Sequence, residues 1–310
     1  MSAKLPFTTL DVFTDTHFLG NPLAIVRIAK ELQSTVSQAQ KQTIAREFNL
    51  SETVFLHEGD IDAPVRIDIF MANAELPFAG HPTVGSGWFL LSQNPAKETV
   101  TLRTKAGDIP VSREANGKVR LQVPTDFKVH PEYVHPLVKT LQPKLTAADY
   151  VNGPDGAEPV ASIVKGMTFL LMKLTSEDAL ARLQPSPERL TVPNLGEWDG
   201  FMGLYAFFER DDGVVRTRMF DGTLEDPATG SAASTLAGYL GLKKGEGVHR
   251  ISIIQGVEMG RKSEIEVVVD VGAAEEIKKI ELAGAAVEVM EGSICCTVKS
   301  PRGKFINLNE

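Results

Sequence analysis

Short runs with an apolar residue at every second position are interleaved along the chain with longer runs of helical spacing. Val65, Ile67 and Ile69 alternate with Arg66 and Asp68, which predicts a strand with one buried face. Val215, Thr217 and Met219 alternate with Arg216 and Arg218 in the same way. Further β-type runs fall at Phe7–Phe13, Leu23–Ile28, Thr53–Leu56, Thr99–Arg103, Val119–Val123, Val160–Val164, Phe169–Lys173, Ile251–Ile254, Ile265–Val271 and Ser293–Val298. Amphipathic helices are expected over Leu32–Phe48 and Ser176–Leu183. Two more helices, Pro82–Leu91 and Ala232–Leu242, carry no charge. A helix without a polar face must be enclosed by protein, and their glycines and alanines allow surrounding backbone to come close.

These patterns repeat. Arg66–Leu90 laid over Arg216–Leu240 without a gap, an offset of 150, gives six identities in 25 positions: Arg, Phe, Glu, Pro, Gly and Leu. They fall on structural punctuation: strand, proline loop, glycine, buried helix. Gly20-Asn-Pro-Leu-Ala-Ile-Val26 matches Gly166-Met-Thr-Phe-Leu-Leu-Met172 more weakly, at an offset of 146. The expected architecture is therefore α+β, with two pseudo-symmetric lobes, each a curved, mostly antiparallel sheet or barrel around a buried central helix. The lobes are placed at residues 1–128 and 129–310, the last strand, about 293–310, crossing back to the first.

A length of 310 residues accommodates two such lobes. A net charge of −8 argues against nucleic acid as a partner, which needs a dense Lys/Arg surface. No apolar run is long enough for a membrane helix, and the first residues lack a signal-peptide pattern. The two cysteines, Cys295 and Cys296, are adjacent and cannot staple distant segments, so a cytoplasmic location is expected. The six histidines show no metal-binding spacing, so no metal is expected.

The central helices begin at matched positions. Gly80 and Gly230 precede them, His81 and Ser231 are read as N-caps, and Pro82 suits the first helical position. Free N–H groups at two such ends would bind a small anion in a cleft between the lobes. The repeats differ in their titratable groups: His81 aligns with Ser231, Asp226 with Leu76, and Glu52 with Met202. Glu52, His81 and Asp226 are thus a candidate acid–base set. Each also has a plain structural reading: Ser51-Glu52 as a strand start, His81 as a cap only, Asp226-Pro227 as a turn pair. Spacing alone does not choose between these.

Four ordered motifs, Gly20-Asn21-Pro22-Leu-Ala-Ile-Val26, Asn49-Leu-Ser-Glu52-Thr-Val-Phe55, Glu75-Leu-Pro-Phe-Ala-Gly80-His81-Pro82-Thr83 and Glu225-Asp226-Pro-Ala-Thr-Gly230-Ser231-Ala232, make the chain closely resemble the PhzF-like family, the phenazine-biosynthesis isomerases and their relatives, within the diaminopimelate-epimerase fold. Gln255-Gly-Val-Glu-Met-Gly-Arg-Lys-Ser263 looks like a further family motif. The resemblance spans nearly the whole chain. It implies a cofactor-independent isomerase with Glu52 as the proton-moving carboxylate, His81, Asp226 and Ser231 assisting, and Asn21 with the N–H groups near Gly80 and Gly230 holding a small carboxylate substrate. It also implies a homodimer. Met71-Ala72, where the family often has Thr-Pro or Ser-Pro, and a short Phe220–Glu225 loop depart from the pattern near the expected cleft. The thiol positions of two-cysteine racemases align near Ala79 and Thr229, and neither is a thiol. A proton shift on one face suits this set best; an epimerase using Glu52 and Asp226, and a binding relative without turnover, are the competing readings.

Overall fold

A computed structural model describes residues 2–136 and 138–297. Its contacts divide the chain into two compact units. The first comprises the chain up to His17, Pro22–Val119 and the segment from Ala285; the second comprises Phe18–Asn21 and Arg120–Gly284. Residues 298–310 of the expected last strand lie outside the described residues. Among the described residues no helix is long and apolar enough to cross a membrane.

The first half of the chain forms β1 (Ser2–Val12), β2 (Asn21–Ile28), α1 (Gln38–Phe48), β3 (Thr53–His57), β4 (Val65–Phe70), β5 (Glu75–Leu76), α2 (Gly80–Ser92), β6 (Thr99–Thr104), β7 (Gly107–Arg113), β8 (Val119–Gln122) and β9 (Lys128–Tyr133). The second half forms β10 (Glu158–Val164), β11 (Met167–Lys173), α3 (Glu177–Arg182), β12 (Phe201–Glu209), β13 (Val215–Asp221), β14 (Leu224–Asp226), α4 (Gly230–Lys244), β15 (Gly247–Gln255), β16 (Ser263–Val271), β17 (Ile277–Gly284) and β18 (Ala286–Thr297). The fold is sheet-rich with few helices.

In the first unit β2 runs parallel to β3, β3 antiparallel to β4, β4 antiparallel to β5 and parallel to β6, and β6 antiparallel to β7. In the second unit β11–β12–β13–β14–β15–β16 repeats each of these directions in the same order. Phe70 pairs with Glu75 and Phe220 with Glu225, which reproduces the offset of 150. Ala24 pairs with Thr53 and Leu170 with Leu204, which reproduces the offset of 146. The same registers correct one expected match. Thr53 pairs with Phe70 and Leu204 with Phe220, so the counterpart of Glu52 is Gly203, not Met202. A Cβ on Gly203 would lie 2.9 Å from the Phe169 ring, so the equivalent position in the second unit is closed to any side chain.

Two local expectations also change. The helix expected from Leu32 starts at Gln38, because Ser37 and Gln40 form a reciprocal capping box; a 3-10 turn at Lys30–Leu32 precedes it. His81 and Ser231 are not N-caps. The helices start at Gly80 and Gly230, with Ala79 and Thr229 in the cap positions and no side-chain cap bond at either. Proline therefore sits at the third helical position, and His81 and Ser231 project from the first turn.

Both helices are buried as their lack of charge requires. α2 packs on β1, β3, β6, β7 and β18, and α4 on β10, β11, β15, β16 and β17. α4 runs past its apolar stretch to Lys243 and Lys244, whose charges suit a helix C-terminus. On the other face of the first unit, Ile44 and Ala45 of α1 pack with Leu5, Val26, Ile28, Phe55, Phe70 and Cys296. Beside this cluster Lys41, His57 and Asp68 form a buried ion group, with Arg66 Nε 3.0 Å from Asp68.

Candidate active site

Glu52 stands between α1 and β3. Asn49 ends α1 in the left-handed conformation, with φ of 51°, and its N–H closes on the Ala45 carbonyl. The chain then turns directly into β3, placing Glu52 one residue before a strand that is buried throughout. Its Oε2 lies 3.5 Å from Nδ1 of His81 in the first turn of α2. Only 17% of the Glu52 side-chain surface and 5% of that of His81 remain exposed. Burial pushes the Glu52 carboxyl up to about 7, and a hydrogen bond from Ser51 offsets part of that rise. Burial thus prevails over any pull from the neighbouring imidazole.

A second group lies within the second unit. Asn21 is buried and donates through Nδ2 to Asp226 Oδ1 at 2.8 Å and to the Ala228 carbonyl at 2.9 Å. The segment carrying it is held by Gly20 N–H to Lys262 O at 3.0 Å and by Arg261 Nε to Gly20 O at 2.9 Å. The Thr229 hydroxyl donates to the other Asp226 oxygen at 2.6 Å. Gln255, at the end of β15, donates to the Asp226 carbonyl at 2.7 Å and to the Thr229 hydroxyl at 3.1 Å. Gly256 carries φ of +74°, and a Cβ there would fall 2.6 Å from the Pro227 carbonyl oxygen. The left-handed glycine lets the strand end press against the Asp226-Pro227 loop.

The expected residues therefore fall into two groups. Glu52, His81 and Gly80 gather at the start of α2. Asn21 and Asp226 bond directly, just ahead of Gly230 and Ser231 in the first turn of α4. Thr229 and Gln255 were not assigned a role by the sequence. The signal for Gln255 was its place before a glycine in the Gln255–Ser263 motif; the signal for Thr229 was its match to Ala79. The departures from the family pattern are tight turns: Met71 N–H bonds to Ala74 O, and Asp221 pairs with Leu224 across Gly222-Thr223. Cys295 is exposed and Cys296 buried on β18, opposite Lys4 and Ala3 of β1. Among the described residues no three His, Cys, Asp or Glu side chains gather in a metal-binding arrangement.

The profile of the PhzC-PhzF family, described as phenazine biosynthesis-like protein, matches residues 10–292. The chain belongs to this family. It is 34% identical over 302 residues to an uncharacterized isomerase of Pasteurella multocida, covering 95% of each chain. It is 32% identical over 298 residues to the trans-2,3-dihydro-3-hydroxyanthranilate isomerase of Pseudomonas aeruginosa, covering 92% of this chain and 98% of the relative. A Bacillus anthracis phenazine biosynthesis protein of the PhzF family has a similar fold, with a TM-score of 0.75 at 23% identity, covering 94% and 99% of the two chains. A hydroxyproline epimerase of Agrobacterium vitis shares the fold more distantly, with a TM-score of 0.58 at 14% identity over 94% and 92%. As a PhzF-family member, the chain is an isomerase.

Proposed function

We propose that this PhzF-family isomerase moves a proton between two atoms of a small cyclic or amino-substituted carboxylate, with Glu52 as the carrier, and that its two units are the pseudo-symmetric halves of a diaminopimelate-epimerase-like fold. The observation that carries the proposal is Glu52 itself: a nearly enclosed carboxyl beside His81, raised to about 7. A group that titrates near neutrality accepts a proton from carbon and returns it without a large penalty in either direction. His81 is placed to hydrogen-bond the carboxyl or the substrate as charge moves. The N–H groups of the first turns at Gly80 and Gly230 suit the substrate carboxylate. Ser231 adds a hydroxyl at one of them, and Asn21 and Asp226 position polar groups of the ligand. No step calls for a cofactor.

The epimerase alternative needs a second base. Asp226 is the candidate, and both of its oxygens already accept hydrogen bonds, from Asn21 and Thr229. That arrangement supports positioning more than proton transfer. A homodimer remains the expectation from the family resemblance, to be read by light scattering.

The test is solvent-deuterium incorporation. The probes are trans-2,3-dihydro-3-hydroxyanthranilate, which the Pseudomonas relative's name supplies, and a panel of cyclic and amino-substituted carboxylates. Glu52→Gln keeps size and most hydrogen bonds and should lower turnover by at least ~100-fold, the low end for losing a general acid–base group. Incorporation by Glu52→Gln at the wild-type rate would remove Glu52 as the carrier.

A further inference from the structure

Gln255 is fully buried between the Tyr205 hydroxyl and the loop from Asp226 to Thr229. Its amide orientation is set by partners that cannot exchange roles. The Asp226 carbonyl only accepts, and lies 2.7 Å from Nε2; the Thr229 backbone N–H only donates, and lies 3.4 Å from Oε1. The second Nε2 hydrogen then points at the Thr229 hydroxyl, 3.1 Å away. With that lone pair occupied, Thr229 directs its own proton to Asp226 Oδ2 at 2.6 Å. On the other side of the amide, Oε1 accepts from the Tyr205 hydroxyl at 3.0 Å. The same Tyr205 hydroxyl also lies 3.0 Å from Thr217 Oγ1 as a donor, so its one proton is shared between Oε1 and Thr217. A connected chain of hydrogen bonds therefore runs from the fully buried Tyr205 and Gln255 through Thr229 to Asp226, the last two partly buried.

The geometry points to Gln255, backed by Tyr205, as a positioning residue that orients the Thr229 hydroxyl and so fixes Asp226 as an acceptor held at both oxygens. The inference rests on the reading of Asp226 as part of the isomerase site. It differs from a purely structural role in one respect: the effect of Gln255 on turnover passes through the Thr229 hydroxyl. Gln255→Met keeps the length of the side chain and removes both its donors and its acceptor. Tyr205→Phe keeps the ring and removes its hydroxyl's bonds to Oε1 and to Thr217.

Three-bond couplings to the Thr229 methyl group, measured by NMR in the free protein, report whether its side chain holds one rotamer. Wild type should show one rotamer, Gln255→Met an average, and Tyr205→Phe an intermediate value. In deuterium incorporation with the probes above, Gln255→Met and Thr229→Val should each lower kcat by about 10- to 100-fold, the scale of a misplaced group. KM should change far less. The combined variant should be no worse than the poorer single one, since both act through the same hydroxyl. Unaveraged Thr229 couplings in folded Gln255→Met would overturn the inference, as would losses that simply multiply in the combined variant. A wild type that exchanges deuterium into none of the probes counts against the isomerase reading instead, and the couplings still decide the role of Gln255.

Discussion

Burial raises the proton affinity of any carboxylate, and Glu52 and Asp68 differ in what answers it. Asp68 is buried too, but hydrogen bonds and charge from His57 and Lys41 outweigh the desolvation and hold its carboxyl well below the usual range. Glu52 has a histidine at 3.5 Å and a hydrogen bond from Ser51, which do not outweigh burial, and it rises to about 7. The sign of the consequence follows from linkage. Between the unfolded value, 4.5, and about 7 the folded chain binds this proton more tightly than the unfolded chain does. The contribution of Glu52 to stability is therefore fully present below pH 4.5 and is lost as pH rises to about 7. The loss amounts to about 3 kcal/mol once complete. Glu52→Gln cannot ionise, so chemical denaturation at pH 8 should find it more stable than wild type by up to about 3 kcal/mol, with the gap closing towards pH 4.5. Parallel stability curves for the two proteins across that range would show that Glu52 ionises freely in the folded state. A site that disfavours its own charged group at neutral pH trades stability for a proton that can move.

At the scale of elements, the buried helices depend on close backbone contact. A Cβ on Gly87 of α2 would lie 2.6 Å from Val111 Cγ1 and 3.1 Å from Val111 Cβ. Valine has little freedom to turn away, so strand β7 would have to move. Gly241 of α4 is looser, with its nearest atom, Val269 Cγ1, at 3.1 Å. Gly87→Ala should therefore destabilise by about 1–2 kcal/mol, the overpacking cost less the helix propensity that alanine restores. Gly241→Ala should cost clearly less, and equal denaturation midpoints for the two would refute this account of the helix packing. The absence of charge in both helices and the 150-residue offset were legible because burial and punctuation act through composition and spacing. The strands β7, β9, β12 and β17 leave no clear period in the sequence: Phe201–Glu209 has no clean alternation, and Ile277-Lys-Lys-Ile-Glu-Leu is broken by paired charges. The capping box at Ser37 lies inside a run that keeps helical spacing, so spacing alone starts α1 too early. Within the site, the Asn21–Asp226 bond joins residues 205 apart in sequence, and the Gln255 chain depends on which atoms of an amide face which backbone groups. No periodicity carries that information; only the motif marked the place.

At the scale of the molecule, the first unit is completed by the far end of the chain. β18 pairs with β1 from Ser2↔Thr297 to Val12↔Ala286, with one register shift between Thr9 and Leu10. The ring of Phe7 lies against Gly292, where a Cβ would come within 2.9 Å. Leu5, Leu10 and Val12 of β1 are fully buried, and Cys296 of β18 belongs to the same core as Leu5. The first unit is therefore assembled from segments on both sides of the second in sequence, and its closing ladder is the most non-local strand pairing among the described residues. Truncation after Ala285 would strip β1 of this partner and expose an apolar strand edge. Each core side chain uncovered costs about 1.5–3 kcal/mol, so losing three or four approaches the whole stability of a typical domain. The second unit keeps β9 to β17 and its own core of Val160, Leu170, Leu204 and Phe220. Hydrogen exchange on the truncated protein should show β1, α2 and β7 unprotected while β11, β12 and β16 keep slow amides. Truncation after Thr297, which retains every described β1–β18 pair, should leave both sets protected. Slow amides in β1 after the longer truncation would show that the first unit holds without its closing strand, and that β18 adds to a unit already formed.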